Sequence, residues 1–297
     1  MITNRSRRRF FGAAAAAAAW PVLSRVPGAE SAAVRLKPDA TDAVRGGPLK
    51  IGVASYSMRE FTLDQALDMA RTLGVKYMTF KDVHVPRTDP PDATRALRAK
   101  IQAAGITIMG GGTITIPNDP AQIKKEFEYA RNAGFPLIYT DPMPAALDTL
   151  ERMAKEYDIR VAIHNHGPED KHFPSPYDVL KQVRNMDPRM GLCIDIGHTV
   201  RTGTDVVRAI ADAGPRLHDM HAKDLRDLTA KGSQCVVGEG AIPIAAIFDQ
   251  LQAIHYAGYV NLEYEIDADD PLPGMKQSFA YMRGVLAGLS TPRRAQS

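Results

Sequence analysis

Cysteine is scarce: Cys193 and Cys235 are the only two in 297 residues. That excludes a disulfide-stapled small domain and a thiolate-rich metal site, which takes three or four cysteines. Cys193 lies two residues before Asp195 in a strand-like run, so both side chains point the same way. This places Cys193 deeper in the interior as a small apolar group, and the two cysteines are expected to be unpaired. Beyond the N-terminus no run is long and apolar enough to span a bilayer. The first strand-like run ends Ala54-Ser55-Tyr56-Ser57, with no Gly-rich turn, which argues against a dinucleotide-binding open sheet. What is present is ordinary, with 44% hydrophobic and 24% charged residues, the composition of one large α/β domain.

A basic surface is also lacking once the N-terminus is set aside. Residues 1–33 hold five arginines (5, 7, 8, 9 and 25) and Glu30, a net +4 of the chain's +3, so the remainder sits near −1. The sequence pI of 8.8 is therefore partly a property of that segment, and no nucleic-acid partner is expected. Ser6-Arg7-Arg8-Arg9-Phe10-Phe11 followed by the alanine-rich run to Leu23 carries the pattern of a twin-arginine export signal. Residues 1–33 are read as that signal, with an uncleaved anchor as the alternative. Residues 34–48 read as a linker, 49–290 as one domain and 291–297 as a tail. Export of this kind implies a periplasmic or otherwise external location.

From Leu49 onward, short β-rich runs alternate with amphipathic helices. The strands are predicted at Leu49–Tyr56, Val75–Phe80, Ile106–Met109, Leu137–Thr140, Ile159–His164, Met190–Asp195, Leu217–His221 and Tyr259–Glu263. Helices are predicted near 63–73, 92–104, 121–133, 146–157, 176–186, 204–213, 243–256 and 274–286. Leu147, Leu150, Met153, Ala154 and Tyr157 recur at helical spacing, as do Ile244, Ile247, Phe248, Leu251 and Ile254. Gly74, Gly105, Gly134 and Gly258 stand where helices should stop. Eight strand-helix units predict a single (β/α)8 TIM barrel.

Active sites of such barrels lie at the C-terminal ends of the strands. Five of the eight histidines (His84, His164, His166, His198, His221) fall at or just after predicted strand ends. Asp195, Lys223, Glu263 and Glu265 join them on strands six to eight. Taken singly, each has a plain structural role, since Asp195 can cap a helix and Lys223-Asp224 can be a surface pair worth little. Four successive strands ending in ligand-type residues point instead to an N/O site for one divalent ion such as Mn, Zn, Co or Fe.

The runs HNHGPED (164–170), CIDIGH (193–198), HAKD (221–224), Gly238-Glu239-Gly240 and YVNLEYE (259–265) resemble the sugar phosphate isomerase/epimerase family of xylose isomerase-like barrels. The resemblance covers about residues 49–287. It implies metal ligation by His164, Asp195, His221 and Glu263, with His164 standing where the family commonly has a glutamate. It implies proton transfer by His166, Glu263 and Glu265, electrostatic help from Lys223, and substrate contact by His198. His84 and Arg201 are the further candidate substrate contacts.

The chemistry expected is α-proton transfer on a carbonyl polarised by the ion, through an enediolate, in a small carbohydrate or polyol. Isomerisation or epimerisation is the first reading. Dehydration of the inosose dehydratase type is the second, and a carbohydrate-binding barrel without turnover is the alternative of another class. An endonuclease-like phosphodiesterase is disfavoured by the charge near −1. A phosphorylated substrate is disfavoured because Glu239 would repel a phosphate at the only Gly-x-Gly after strand seven. The sequence leaves a homo-oligomer open.

Overall fold

The computed structural model describes residues 49–290, and the segments read as signal (1–33), linker (34–48) and tail (291–297) lie outside them. Strands β1 (Lys50–Ala54), β2 (Tyr77–Phe80), β3 (Thr107–Ile116), β4 (Leu137–Pro142), β5 (Arg160–His164), β6 (Met190–Asp195) and β7 (Leu217–Ala222) come first in the chain. A two-residue antiparallel ribbon follows, β8 (Asp224–Leu225) against β9 (Gln234–Cys235), and then β10 (Tyr259–Leu262). The eight longer strands, all paired in parallel, close a barrel in the order β1-β10-β7-β6-β5-β4-β3-β2. Nine helices pack among the described residues: α1 (Leu63–Thr72), α2 (Pro91–Ala103), α3 (Pro120–Ala133), α4 (Leu147–Tyr157), α5 (Pro176–Val183), α6 (Ile196–Arg201), α7 (Val206–Ala213), α8 (Ile244–Ala253) and α9 (Leu272–Ser290). This is a TIM barrel.

Local chemistry sets the boundaries. Thr62 caps α1 in a reciprocal box with Gln65, and the Asp119 carboxylate accepts the first free amides of α3 behind Pro120. Gly134 ends α3 in the left-handed region at φ 73°, as its position predicted. Gly258 does not serve this way, because His255 takes the positive φ of 52° after α8. The first predicted strand stops at Ala54, where the chain turns into a 3-10 helix over Ser55–Met58. The third runs seven residues further than expected, to Ile116, because its glycines 110–112 let it press against β4. Both cysteines are free and buried, as expected.

Side chains pointing into the barrel form layers because the strand period is two. A lower layer holds Tyr139, Ala162, Cys193, Asp219 and Asn261, all buried. The Asp219 carboxylate accepts from the Tyr139 hydroxyl and from Asn261 Nδ2 at 2.7 Å. Two residues further along the same five strands stand Asp141, His164, Asp195, His221 and Glu263. The pairing register sets Asp195 directly beside His221. The alternation that fills the barrel floor thus also delivers a ring of donors to its rim. Among the described residues no helix is long and apolar enough to cross a membrane.

Two expectations follow from the packing. A Cβ on Gly110 would lie 2.5 Å from the backbone oxygen of Leu137, an atom that cannot swing aside. Gly110→Ala should cost about 2–3 kcal/mol in urea unfolding, and a midpoint equal to wild type would contradict this close approach. At the opposite end of the barrel, His218 sits buried between the carbonyls of Val161 and Pro188, 3.0 and 3.1 Å away. Burial, with Arg160 close by, pulls its pKa from 6.5 down to about 4. The folded state then binds fewer protons than the unfolded chain between these values, so this contribution to stability is lost as pH falls from 6.5 towards 4. Wild type should lose on the order of 3 kcal/mol over that window relative to His218→Gln. Parallel stability curves for the two proteins would rule out the coupling.

Candidate metal centre

The rim of the barrel gathers residues from strands far apart in sequence. His164 ends β5 and Asp195 ends β6, where its Oδ1 accepts the His198 amide at 2.8 Å and starts α6. His221 lies near the end of β7, and Glu263 follows β10. One donor atom from each of these four buried residues lies within 4.8 Å of all the others. His164 Nε2 is 3.0 Å from His221 Nδ1, which is 3.1 Å from Glu263 Oε2, and Asp195 Oδ2 is 3.7 Å from His164 Nε2. Two donors each ~2.1 Å from one ion, at a tetrahedral angle, lie roughly 3.4 Å apart. The observed spacings bracket that value.

Electrostatics supports the same fit. Burial, with His166 and His221 alongside, keeps the His164 pKa well below 6.5, so its ring is neutral and offers a lone pair. Burial alone would push the Glu263 carboxyl up, but His221 and Lys223 beside it hold it well below the usual range. The buried Lys223 ammonium touches Asp195, Glu263 and Glu265 at 2.9, 3.0 and 2.7 Å. Burial opposes its charge, yet these three carboxylates raise its pKa well above the ordinary value. Burial would lower the His221 pKa, but Cys193 and Glu263 beside it raise it well above 6.5, so its ring holds a proton that a bound ion would displace, and the three carboxylates outnumber the cations Lys223 and His221 by one. Two imidazole nitrogens 3.0 Å apart share at most one proton between them, whereas an ion takes both lone pairs. The donor set therefore fits a divalent ion.

A cavity of about 340 Å³ opens beside this group, lined among others by His198, Arg201, Lys223, Gln234 and Glu265. His198 is lowered by burial against the pull of Asp195, and its Nδ1 faces an Arg201 nitrogen at 3.1 Å. Arg201 also pairs with Glu169 across the rim. The partly exposed His166 ring contacts that of His164, tilted by 44° with centroids 4.4 Å apart. Nine of the ten candidate residues are thus gathered around one place. His84 is the exception. Its Nε2 bonds the Phe61 carbonyl at 3.1 Å, and burial lowers its pKa, so it braces the loop after β1. A larger cleft of about 590 Å³ around Arg87, Glu126 and Tyr129 lies elsewhere and holds no converging donor set.

Two features escaped the sequence. Asp141, one residue beyond the predicted fourth strand, and Asp170, inside HNHGPED, both come to His166. Extending β4 by one residue would have exposed Asp141 as a strand-end carboxylate. Asp224 is not a surface charge. It is buried and accepts the amides of Leu225, Gly238, Gly240 and Ile242 at 2.9, 2.9, 3.1 and 3.0 Å. The Gly238 and Gly240 amides are therefore spent on the protein's own carboxylate, and the Glu239 amide on the Val236 carbonyl.

Comparison with known proteins agrees with the fold. Residues 62–285 match the xylose isomerase-like TIM barrel family. The inosose dehydratase of Lactiplantibacillus plantarum is 26% identical over 187 residues, 57% of this chain and 60% of that one. The first two curated relatives are spanned over only 42% and 60% of their lengths. An L-ribulose 3-epimerase structure superposes with TM-score 0.67 at 17% identity, covering 83% of this chain and 99% of that one. The zinc-bound IolI structure gives TM-score 0.68 at 16% identity, covering 81% and 99%. A family that includes sugar epimerases and inosose dehydratases thus shares this barrel, and over three quarters of its length this chain belongs to the xylose isomerase-like TIM barrel family.

Proposed function

We propose that this chain is a metal-dependent enzyme that moves a proton on the carbon beside a carbonyl of a sugar, keto-sugar or polyol. The observation that carries the reading is the convergence of His164, Asp195, His221 and Glu263 on one point beside a cavity. These four residues would hold a divalent ion, which would supply Lewis-acid polarisation of a substrate carbonyl. The chain's own residues supply the rest. Half-exposed His166 is placed to accept the proton, since its ring is the least buried imidazole of the cluster. Lys223, at the cavity wall, offsets negative charge developing on the substrate oxygens as the enediolate forms. Glu265, bonded to Lys223 and partly exposed, is the second proton carrier. Glu263 is committed to ligation and to Lys223. His198 and Arg201 line the cavity where substrate hydroxyls would sit.

Return of the proton to the other carbon or the other face gives isomerisation or epimerisation. Dehydration is the second reading, favoured by one observation. His164 occupies the strand-five position, so no carboxylate pair flanks the site from β5 and β10, and the inosose dehydratase relative points the same way. The spent amides around Asp224 support an unphosphorylated substrate.

Elemental analysis of the purified chain beside Asp195→Asn should find about one tightly held Mn, Zn, Co or Fe, lost in the variant. Keto-sugars and inososes incubated in heavy water should then gain deuterium, or lose water, only with metal-loaded wild type. An absence of metal, together with no rise in melting temperature on adding any, would remove this reading and leave a carbohydrate-binding barrel. Export is part of the proposal, supported by Arg7-Arg8 ahead of an apolar run. Replacing both arginines with lysine should retain the protein inside the cell in fractionation, and an unchanged distribution would refute twin-arginine export.

A further inference from the structure

The ring of rim donors does not end at the four residues above. Asp141 stands at the same level on β4, two residues beyond the inward-facing Tyr139. In the loop after β5, HNHGPED folds back through a turn, with the Asp170 amide on the Gly167 carbonyl, and brings Asp170 under His166. Donor atoms of Asp141, His166 and Asp170 lie within 4.8 Å of one another. His166 Nδ1 and Asp170 Oδ2 are 3.3 Å apart, again close to the roughly 3.4 Å spacing of two ligands on one ion.

Both of these atoms are buried and neither has a hydrogen-bond partner. The Asp170 side chain is only 8% exposed, and its other oxygen is already used by the amides of His172 and Phe173 at 2.8 and 3.1 Å. The free oxygen is thus aimed by the loop at the point between His166 and Asp141. A buried carboxylate oxygen without a partner is costly, and a second carboxylate nearby adds repulsion. An imidazole and two carboxylates suit zinc or manganese, and the incomplete set leaves room for water or a substrate oxygen.

We propose that Asp141, His166 and Asp170 form a second divalent-cation site, held more weakly than the four-residue centre beside it. Donors on three partly exposed residues, against donors on four buried ones, set the order of affinity. Ligation through Nδ1 leaves the His166 hydrogen on Nε2, so the ion turns this ring from a proton acceptor into a donor. That consequence, unlike the site itself, rests on the role given to His166 above.

The test is equilibrium dialysis of the full chain against rising Mn²⁺ and, separately, Zn²⁺, with metal counted per chain. Wild type should take up a second equivalent at higher concentration. Asp170→Asn keeps the carbonyl oxygen that accepts the loop amides and should bind only the first equivalent, which also shows that it is folded. Asp141→Asn should behave alike. Asp195→Asn should lose the tight equivalent and retain the weak one, so failure of the first centre and failure of the second are read separately. A second equivalent that persists unchanged in both Asp170→Asn and Asp141→Asn, or a wild type that never exceeds the one ion removed by Asp195→Asn, would overturn the proposal.

Discussion

The buried ammonium of Lys223 is the constraint on which the rim of this barrel depends. It touches carboxylates from two different strand ends, Asp195 on one side and Glu263 and Glu265 on the other. Removing any of these charges from water costs several kcal/mol, and one ammonium cannot compensate three carboxylates. The excess negative charge is held where the neutral His164 ring points inward beside His221, whose pKa Cys193 and Glu263 raise against the effect of burial. The cluster is poorly balanced as a purely structural ion pair and well balanced as a cradle for a cation. On the proposed reading, the stability of the cluster is tied to a bound cation.

The barrel supplies the precision through its period of two. Tyr139, Cys193, Asp219 and Asn261 fill the floor with hydrogen bonds and packing, and their neighbours two residues on form the rim. Floor and rim are thereby mechanically joined. The Tyr139 ring lies 5.7 Å from that of His221, so repacking the floor reaches the ligands above it. The rim itself is asymmetric. Toward β7 and β10 it is tied together by Lys223, while toward β5 Glu169 pairs with Arg201 and Asp170 faces the His166 imidazole at 3.3 Å.

Much of this was legible in the sequence because it depends on local register. Strand β6 runs from Met190 to Asp195 as predicted, since its apolar run ends abruptly at a charged residue and a glycine. That His164, Asp195, His221 and Glu263 share the rim follows from their places at strand ends, while the ligand role comes from the family resemblance. Three features were not legible, each for a physical reason. Helix α6 is one short turn over Ile196–Arg201, too brief for periodicity and interrupted by Gly197. The β8–β9 ribbon has two residues per strand and leaves no pattern. His84 looks like other strand-end histidines, and only the fold reveals that the Phe61 carbonyl already claims it. Long-range partnership, as between Asp224 and Gly238, has no signature in one chain.

That last pair carries a consequence for substrate choice. Four backbone amides converge on one buried carboxylate, an arrangement that elsewhere greets the anionic end of a ligand. Here the chain supplies the anion itself, from the residue directly after Lys223. The loop is fixed in a bound-like shape before any substrate arrives, and a phosphate would have to displace a tethered competitor. On the proposed function, this self-occupancy selects against phosphorylated sugars with no residue set aside for the purpose.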